Sequence, residues 1–188
     1  MLLGIILAGG KSRRMGTDKA TLCWQGDTLL SHAQQLLLAV GCDQVLISRN
    51  GPGYVQDVYT GKGPLAGIHA CLEQHVCDEA VVIPIDMPLL SSACLSALIK
   101  QGRTEQHSCH FADSVLPCYL SNYSQALAQC RNQLSQQRLS VRGFLGAITA
   151  SAIEGEQPNS ELTLMNTNTP EQWACAQQIM QQETVWAV

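Results

Sequence analysis

Short unbroken apolar runs alternate along this chain with longer mixed segments that open on a capping residue. Leu2–Ala8 is apolar throughout and rich in Ile and Leu, the pattern of a buried strand. Gln44–Ser48 and Ala80–Pro84 read the same way, and Tyr54–Asp57 predicts a further short strand. Between them, a helix is expected over Thr28–Val40, with Asp27 as N-cap and Gly41 as stop. Pro64 opens a helix running to His75, since proline is tolerated in a first turn. Ser91 or Ser92 caps another to Gln101, closed by Gly102. Ser108–Leu120, with Pro117 inside it, fits two short strands or a strand and a loop. Ser121 or Asn122 caps a helix through Leu134, and Val141–Ala147 predicts one more. Ala150–Ile153 and Glu161–Met165 are expected as strands. Thr169-Pro170-Glu171 starts the last helix. Repeated β–α alternation implies an α/β fold: a three-layer, Rossmann-like α/β/α sandwich around a mostly parallel sheet. Such sheets place ligands at the carboxyl ends of their strands.

Three of those ends carry suggestive residues. After the first strand comes Gly9-Gly10-Lys11-Ser12-Arg13-Arg14-Met15-Gly16-Thr17-Asp18-Lys19, with four cations and one carboxylate. Backbone N–H groups freed by glycines, beside Lys and Arg, suit a polyphosphate. The loop is not a Walker A, because five residues separate Gly4 from Gly10 where that motif needs four. The Rossmann glycine pattern is absent here too. Ser48-Arg49-Asn50 follows the second strand. Asp86 follows the strand ending at Pro84, placed to hold Mg²⁺ at a crevice or to cap the turn before Pro88.

The pattern L-A-G-G-x-S-x-R-M-G-x-D-K, matched from Leu7 to Lys19, resembles the signature of the small nucleotidyltransferases of molybdenum-cofactor biosynthesis, most closely the guanylyltransferases. Three further segments match in order: Gly63-Pro64-Leu65-Ala66-Gly67-Ile68, Asp86-Met87-Pro88-Leu89 and Asn166-Thr167-Asn168-Thr169-Pro170-Glu171. The stretch between Gln101 and Glu161 matches only loosely, and Ser48-Arg49-Asn50 departs from the asparagine-containing segment of some relatives. The resemblance implies a nucleotide-diphospho-sugar transferase-like fold over residues 1–188 as one domain. It implies transfer of GMP from GTP to molybdopterin, with Mg²⁺ as cofactor and pyrophosphate as leaving group. Leu7, Ala8, Gly9, Gly10, Lys19, Ser48, Asp57, Gly63, Pro64 and Asp86 would then bind nucleotide. Arg14, Lys19 and Asp86 would be catalytic, Asp86 would hold the metal, and Asn166 and Asn168 would meet substrate. Asn168 is equally well placed for a role in capping the last helix. Two other readings stay open: a cytidylyl or sugar-phosphate nucleotidyltransferase, and a non-catalytic nucleotide-binding regulator.

Composition narrows the partners. The 188 residues carry a formal charge of −4, so the basic loop is a local patch on an acidic protein. That suits a small anion and argues against nucleic acid. No apolar run approaches membrane-spanning length, and the N-terminus lacks the basic start of a secretory signal. A cytoplasmic chain is expected, as a monomer or weak oligomer. Its expected protein partners are transient ones, in cofactor biosynthesis or molybdoenzyme loading. Nine cysteines, an odd number without a C-x-x-C pair, read as buried apolar residues in a reducing compartment. His107-Ser108-Cys109-His110 has some look of a metal site, but alternation would turn His110 away from the other two, and ordinary strand residues are expected.

Overall fold

The computed structural model describes residues 1–9, 18–154 and 160–186. Gly10 and Arg14 of the basic loop therefore lie outside the described residues. The strands are β1 (Leu2–Leu7), β2 (Cys23–Trp24), β3 (Asp27–Thr28), β4 (Gln44–Ser48), β5 (Glu79–Pro84), β6 (Cys109–Phe111), β7 (Ser114–Leu120) and β8 (Ser151–Ile153). The helices are α1 (Leu29–Ala39), α2 (Pro64–Gln74), α3 (Ser92–Glu105), α4 (Tyr123–Ser135), α5 (Val141–Ala147), α6 (Ser160–Thr163) and α7 (Pro170–Trp186). Six strands form one sheet in the order β4-β1-β5-β7-β6-β8. β1 lies parallel between β4 and β5, and β6 is parallel to β8. β7 alone runs the other way, antiparallel to both neighbours.

Alternation within each strand feeds two cores. Leu2 and Ile6 of β1, with Val81 and Ile83 of β5, pack under α1, α3 and α7. Leu3, Ile5 and Leu7, with Ala80 and Val82, pack under α2, α4 and α5. This is the expected three-layer sandwich, and its central strands are apolar on both faces because both faces are covered.

Several local expectations need correction. Thr28 rather than Asp27 caps α1, accepting from Ser31 N at 3.1 Å. Gly102 does not close α3. The helix runs on to Glu105 and ends at Gln106 in a left-handed conformation. Gly102 serves packing instead: a Cβ there would lie 2.1 Å from Tyr119 Cδ1. Tyr54–Asp57 forms only a single bridge, Val55 to Ser48, because the Asp57 N–H donates to the Asn50 side chain (3.0 Å) rather than to a ladder. Glu161–Met165 is no strand. The helical turn α6 takes its start, and the Met165 N–H donates back to Leu162 O at 3.1 Å. Only Leu164 of its two leucines enters the core, so the alternation there marks no common face.

Seven cysteines are buried, while Cys23 and Cys175 are exposed. Burial pushes the Cys42 and Cys71 thiols up to about 12, and Cys77 and Cys94 up to about 11. The His107–His110 side chains disperse: His107 meets Thr149 O, Cys109 donates to Leu98 O, and His110 meets Phe111 O. Only thiolates alkylate quickly. Brief iodoacetamide treatment of the native protein should therefore add two adducts by intact mass, on Cys23 and Cys175. Rapid addition of a third would show a buried thiol opening to solvent.

Candidate functional site

The carboxyl ends of β1, β4 and β5 lie side by side because these strands are parallel neighbours. Backbone bonds continue the ladder beyond them. The Ala8 N–H donates to Ser48 O (3.0 Å) and the Ile85 N–H to Leu7 O (3.1 Å). Gly9 and Asp86 therefore emerge at one edge. Gly9 is exposed, and a Cβ on it would meet only Ser48 O, at 3.7 Å. Among the described residues, packing does not demand a glycine there.

Lys19 opens a short 3-10 turn, Lys19–Thr21, capped by Asp18. Its ammonium donates to Asn168 Oδ1 at 2.8 Å and stands 3.7 Å from Asp86 Oδ2. Three predicted residues from distant parts of the chain thus share one cluster. The Lys19 side chain is 12% exposed and that of Asp86 24%, so both are half-covered yet reachable.

Two contacts hold the pieces of this cluster in place. Thr167 is fully buried, and both its N–H (2.8 Å) and its hydroxyl (3.1 Å) donate to Asp86 O. With Thr167 turned inward, its neighbours Asn166 and Asn168 are left exposed. Further out, Trp24 of the β2–β3 hairpin packs on Trp173 of α7, ring centroids 5.2 Å apart. That contact ties the segment bearing Lys19 to the segment bearing Asn168.

The backbone and the side chain of Asn168 have separate partners. Its backbone N–H joins the α7 cap, donating to Gln172 Oε1 at 2.7 Å, while its side chain accepts from Lys19. The cap is a reciprocal box. Gln172 accepts from Thr169 N (3.1 Å), and Thr169 Oγ1 accepts from Gln172 N (3.3 Å). Glu171 joins this cap as well: hydrogen bonds to Thr169 and to the backbone hold its carboxyl below the usual range.

The remaining predicted residues are placed differently. Leu7 and Ala8 contribute backbone and are buried. Ser48 is 3% exposed. A Cβ on Gly67 would lie 2.3 Å from its Oγ, so the Ser48 side chain packs on α2 rather than facing the open edge. Gly63 precedes α2 with φ +73°, a conformation that favours glycine, and Pro64 occupies the first helical turn. Asp57 is gripped by Asn50: the Asn50 amide donates to its carboxylate at 3.1 Å and accepts from its N–H. A separate hollow of about 480 Å³ lies between α2 and α4, lined by Tyr59, His69, Glu73 and Arg131 among others; it includes none of the Lys19 cluster.

Sequence reasoning missed Thr167, Asn50 and the pairing of Arg49 with Asp18. The first was findable, since the middle residue of an exposed–buried–exposed triplet must face the core. The last was hinted at by opposite charges following adjacent parallel strands.

Oxygen donors are what a hard dication takes, usually one or two carboxylates with phosphate oxygens and water. Asp86 at a strand end offers one such carboxylate, paired here with Lys19. Among the described residues no group of three or more acidic, His or Cys side chains surrounds it, so phosphate oxygens and water would have to complete a dication's shell.

The chain is similar to several known proteins. A 29% identical relative, covering 96% of this chain and 98% of its own, is a probable molybdenum cofactor guanylyltransferase of Bacillus cereus. Among solved structures, the molybdopterin-guanine dinucleotide biosynthesis protein A of Archaeoglobus fulgidus superposes with a TM-score of 0.76 at 22% identity, covering 97% of this chain and all of that one. The 2-C-methyl-D-erythritol 4-phosphate cytidylyltransferase of Thermus thermophilus shares the fold at a TM-score of 0.71 and 13% identity, covering 95% and 98%. A molybdenum cofactor guanylyltransferase of Xanthomonas euvesicatoria is 36% identical over 91% of this chain and 92% of its own. The family model for the MobA-like NTP transferase domain matches residues 4–150. Likeness of that extent places the chain in the MobA-like NTP transferase family, and it is a nucleotidyltransferase.

Proposed function

We propose that the chain transfers GMP from GTP to the terminal phosphate of molybdopterin, with Mg²⁺, releasing pyrophosphate. The observation that carries this reading is the Lys19–Asp86–Asn168 cluster at the shared edge of three parallel strands. A phosphate oxygen of molybdopterin attacks the α-phosphorus of GTP in line. The new P–O bond gives the dinucleotide as the bond to pyrophosphate breaks. No side-chain nucleophile is needed, so positioning and charge stabilisation dominate.

Gly9 and Gly10 present backbone N–H groups to the phosphates. Lys19, with Arg14, neutralises charge that gathers on the departing pyrophosphate. Asp86, with help from the Asn168 amide, would hold Mg²⁺, which supplies charge neutralisation at phosphate oxygens. Asp57, fixed by Asn50, faces the nucleoside, with Gly63 and Pro64 beside it. Asn166 and Asn168 meet the second substrate. The reaction would run in the cytoplasm; among the described residues no helix is long and apolar enough to cross a membrane.

The match of Leu7-Ala8-Gly9-Gly10 to the guanylyltransferase signature supports guanine as the base. A site that hydrogen-bonds one base leaves buried polar groups unpaired with another, so discrimination can be large. Incubation with molybdopterin, Mg²⁺ and equal GTP or CTP should yield the guanine dinucleotide as main product. Equal yields from CTP would overturn the guanylyl assignment. Binding of nucleotide without any pyrophosphate release would favour a regulator.

A further inference from the structure

We propose that Arg49 is a positioning residue for Lys19, acting through Asp18. The inference rests on the reading of the Lys19 edge as a polyphosphate site.

Arg49 is the first residue beyond β4 and is fixed at both ends. Its N–H donates to Val55 O at 2.9 Å, and its guanidinium lies 5.3 Å from the centre of the Tyr54 ring. From there the guanidinium pairs with Asp18 Oδ2. The other carboxylate oxygen, Oδ1, accepts from Ala20 N at 3.1 Å. The Asp18 carbonyl accepts from Thr21 N (3.1 Å) and from Thr21 Oγ1 (2.9 Å). One carboxylate thus joins the end of β4 to the turn that starts at Lys19. The Lys19 ammonium then reaches across to Asn168 and Asp86.

An exposed ion pair alone contributes little to stability. This one, however, sits where a small displacement is amplified. A misplacement of about 1 Å can cost a hundredfold in function. The next residue of the same segment, Asn50, holds Asp57. The Arg49–Asn50 segment therefore braces the loop end on one side and a nucleoside-side carboxylate on the other.

The sign of one substitution separates positioning from plain electrostatics. Asp18→Asn removes a negative charge beside an anion site, which by Coulomb's law should tighten anion binding. It also keeps the turn's cap, since Asn caps as well as Asp. If Arg49 acts through Asp18, the same change frees Lys19 and weakens binding.

The probe is inorganic tripolyphosphate with Mg²⁺, measured by calorimetry beside Mg²⁺–GTP. Arg49→Gln and Asp18→Asn should each raise the tripolyphosphate dissociation constant about tenfold. The double variant should be no more than about twofold weaker than either single, because one linkage is broken in all three. In a Lys19→Ala background, Arg49→Gln should have no further effect. Arg49→Lys keeps the charge but loses the planar fork, and should recover only part of the loss.

Unchanged or tighter binding by Asp18→Asn would overturn the proposal. So would single effects that multiply in the double variant, or full recovery by Arg49→Lys. Wild-type protein that binds tripolyphosphate but shows no preference for GTP would remove the guanine reading and leave this inference standing. Wild-type protein that binds neither would remove the polyphosphate site itself, and this inference with it.

Discussion

Lys19→Ala should lower turnover by about a hundredfold or more while leaving a folded protein, as loss of one electrostatic clamp does. The ammonium sits at the end of the basic loop, within 2.8 Å of Asn168 Oδ1 and 3.7 Å of Asp86 Oδ2. Among the described residues its ammonium pairs with no core side chain. Its loss frees a carboxylate that is 24% exposed and an amide that water can satisfy. The stability change should stay within about 1 kcal/mol. For a chain of this size that moves the midpoint of melting by about 2–4 °C. Pyrophosphate release at saturating GTP, read beside the melting curve, checks both halves. Near-normal turnover in a well-folded variant would remove Lys19 from the reaction. A large drop in melting temperature with proportional loss of activity would make it a structural residue.

Much of the edge was legible because the glycine loop, Ser48-Arg49-Asn50 and Asp86 each follow a strand whose apolar run is plain. Leu2–Ala8, Gln44–Ser48 and Ala80–Pro84 mark three strand ends, and parallel pairing brings them together. The partners across that edge were not legible. Lys19 and Asn168 are 149 positions apart, and no local pattern records their contact. Arg49 and Asp18 meet only because β4 and β1 are neighbours. The direction of the Ser48 side chain was not legible either. It points to α2, where Gly67 leaves room for it. Gly102 shows the converse. A glycine late in a helix suggests a stop, but here its missing Cβ admits Tyr119 and the helix continues. Glycine marks a need for space or for backbone freedom, and sequence does not distinguish the two.

Asp86→Asn should abolish Mg²⁺-dependent turnover, by about a hundredfold or more, with the fold intact. The backbone of Asp86 is what the structure depends on: Thr167 donates to its carbonyl through both N–H and hydroxyl. Neither bond involves the carboxylate. The substituted amide also keeps an oxygen that can face Lys19. What disappears is a formal negative charge, and a hard dication binds an amide far more weakly than a carboxylate. The Mg²⁺ concentration for half-maximal activity should therefore rise steeply. Mg²⁺ should also lose most of its enhancement of GTP binding, a readout that needs no turnover. A carboxylate that merely capped the turn before Pro88 would behave otherwise. Asn caps nearly as well as Asp, so activity would survive and stability would move by about 1 kcal/mol at most. Parallel Mg²⁺ titrations of wild type and variant, followed by GTP calorimetry, separate the cases, and an unchanged Mg²⁺ requirement in Asp86→Asn would place the metal elsewhere on the edge.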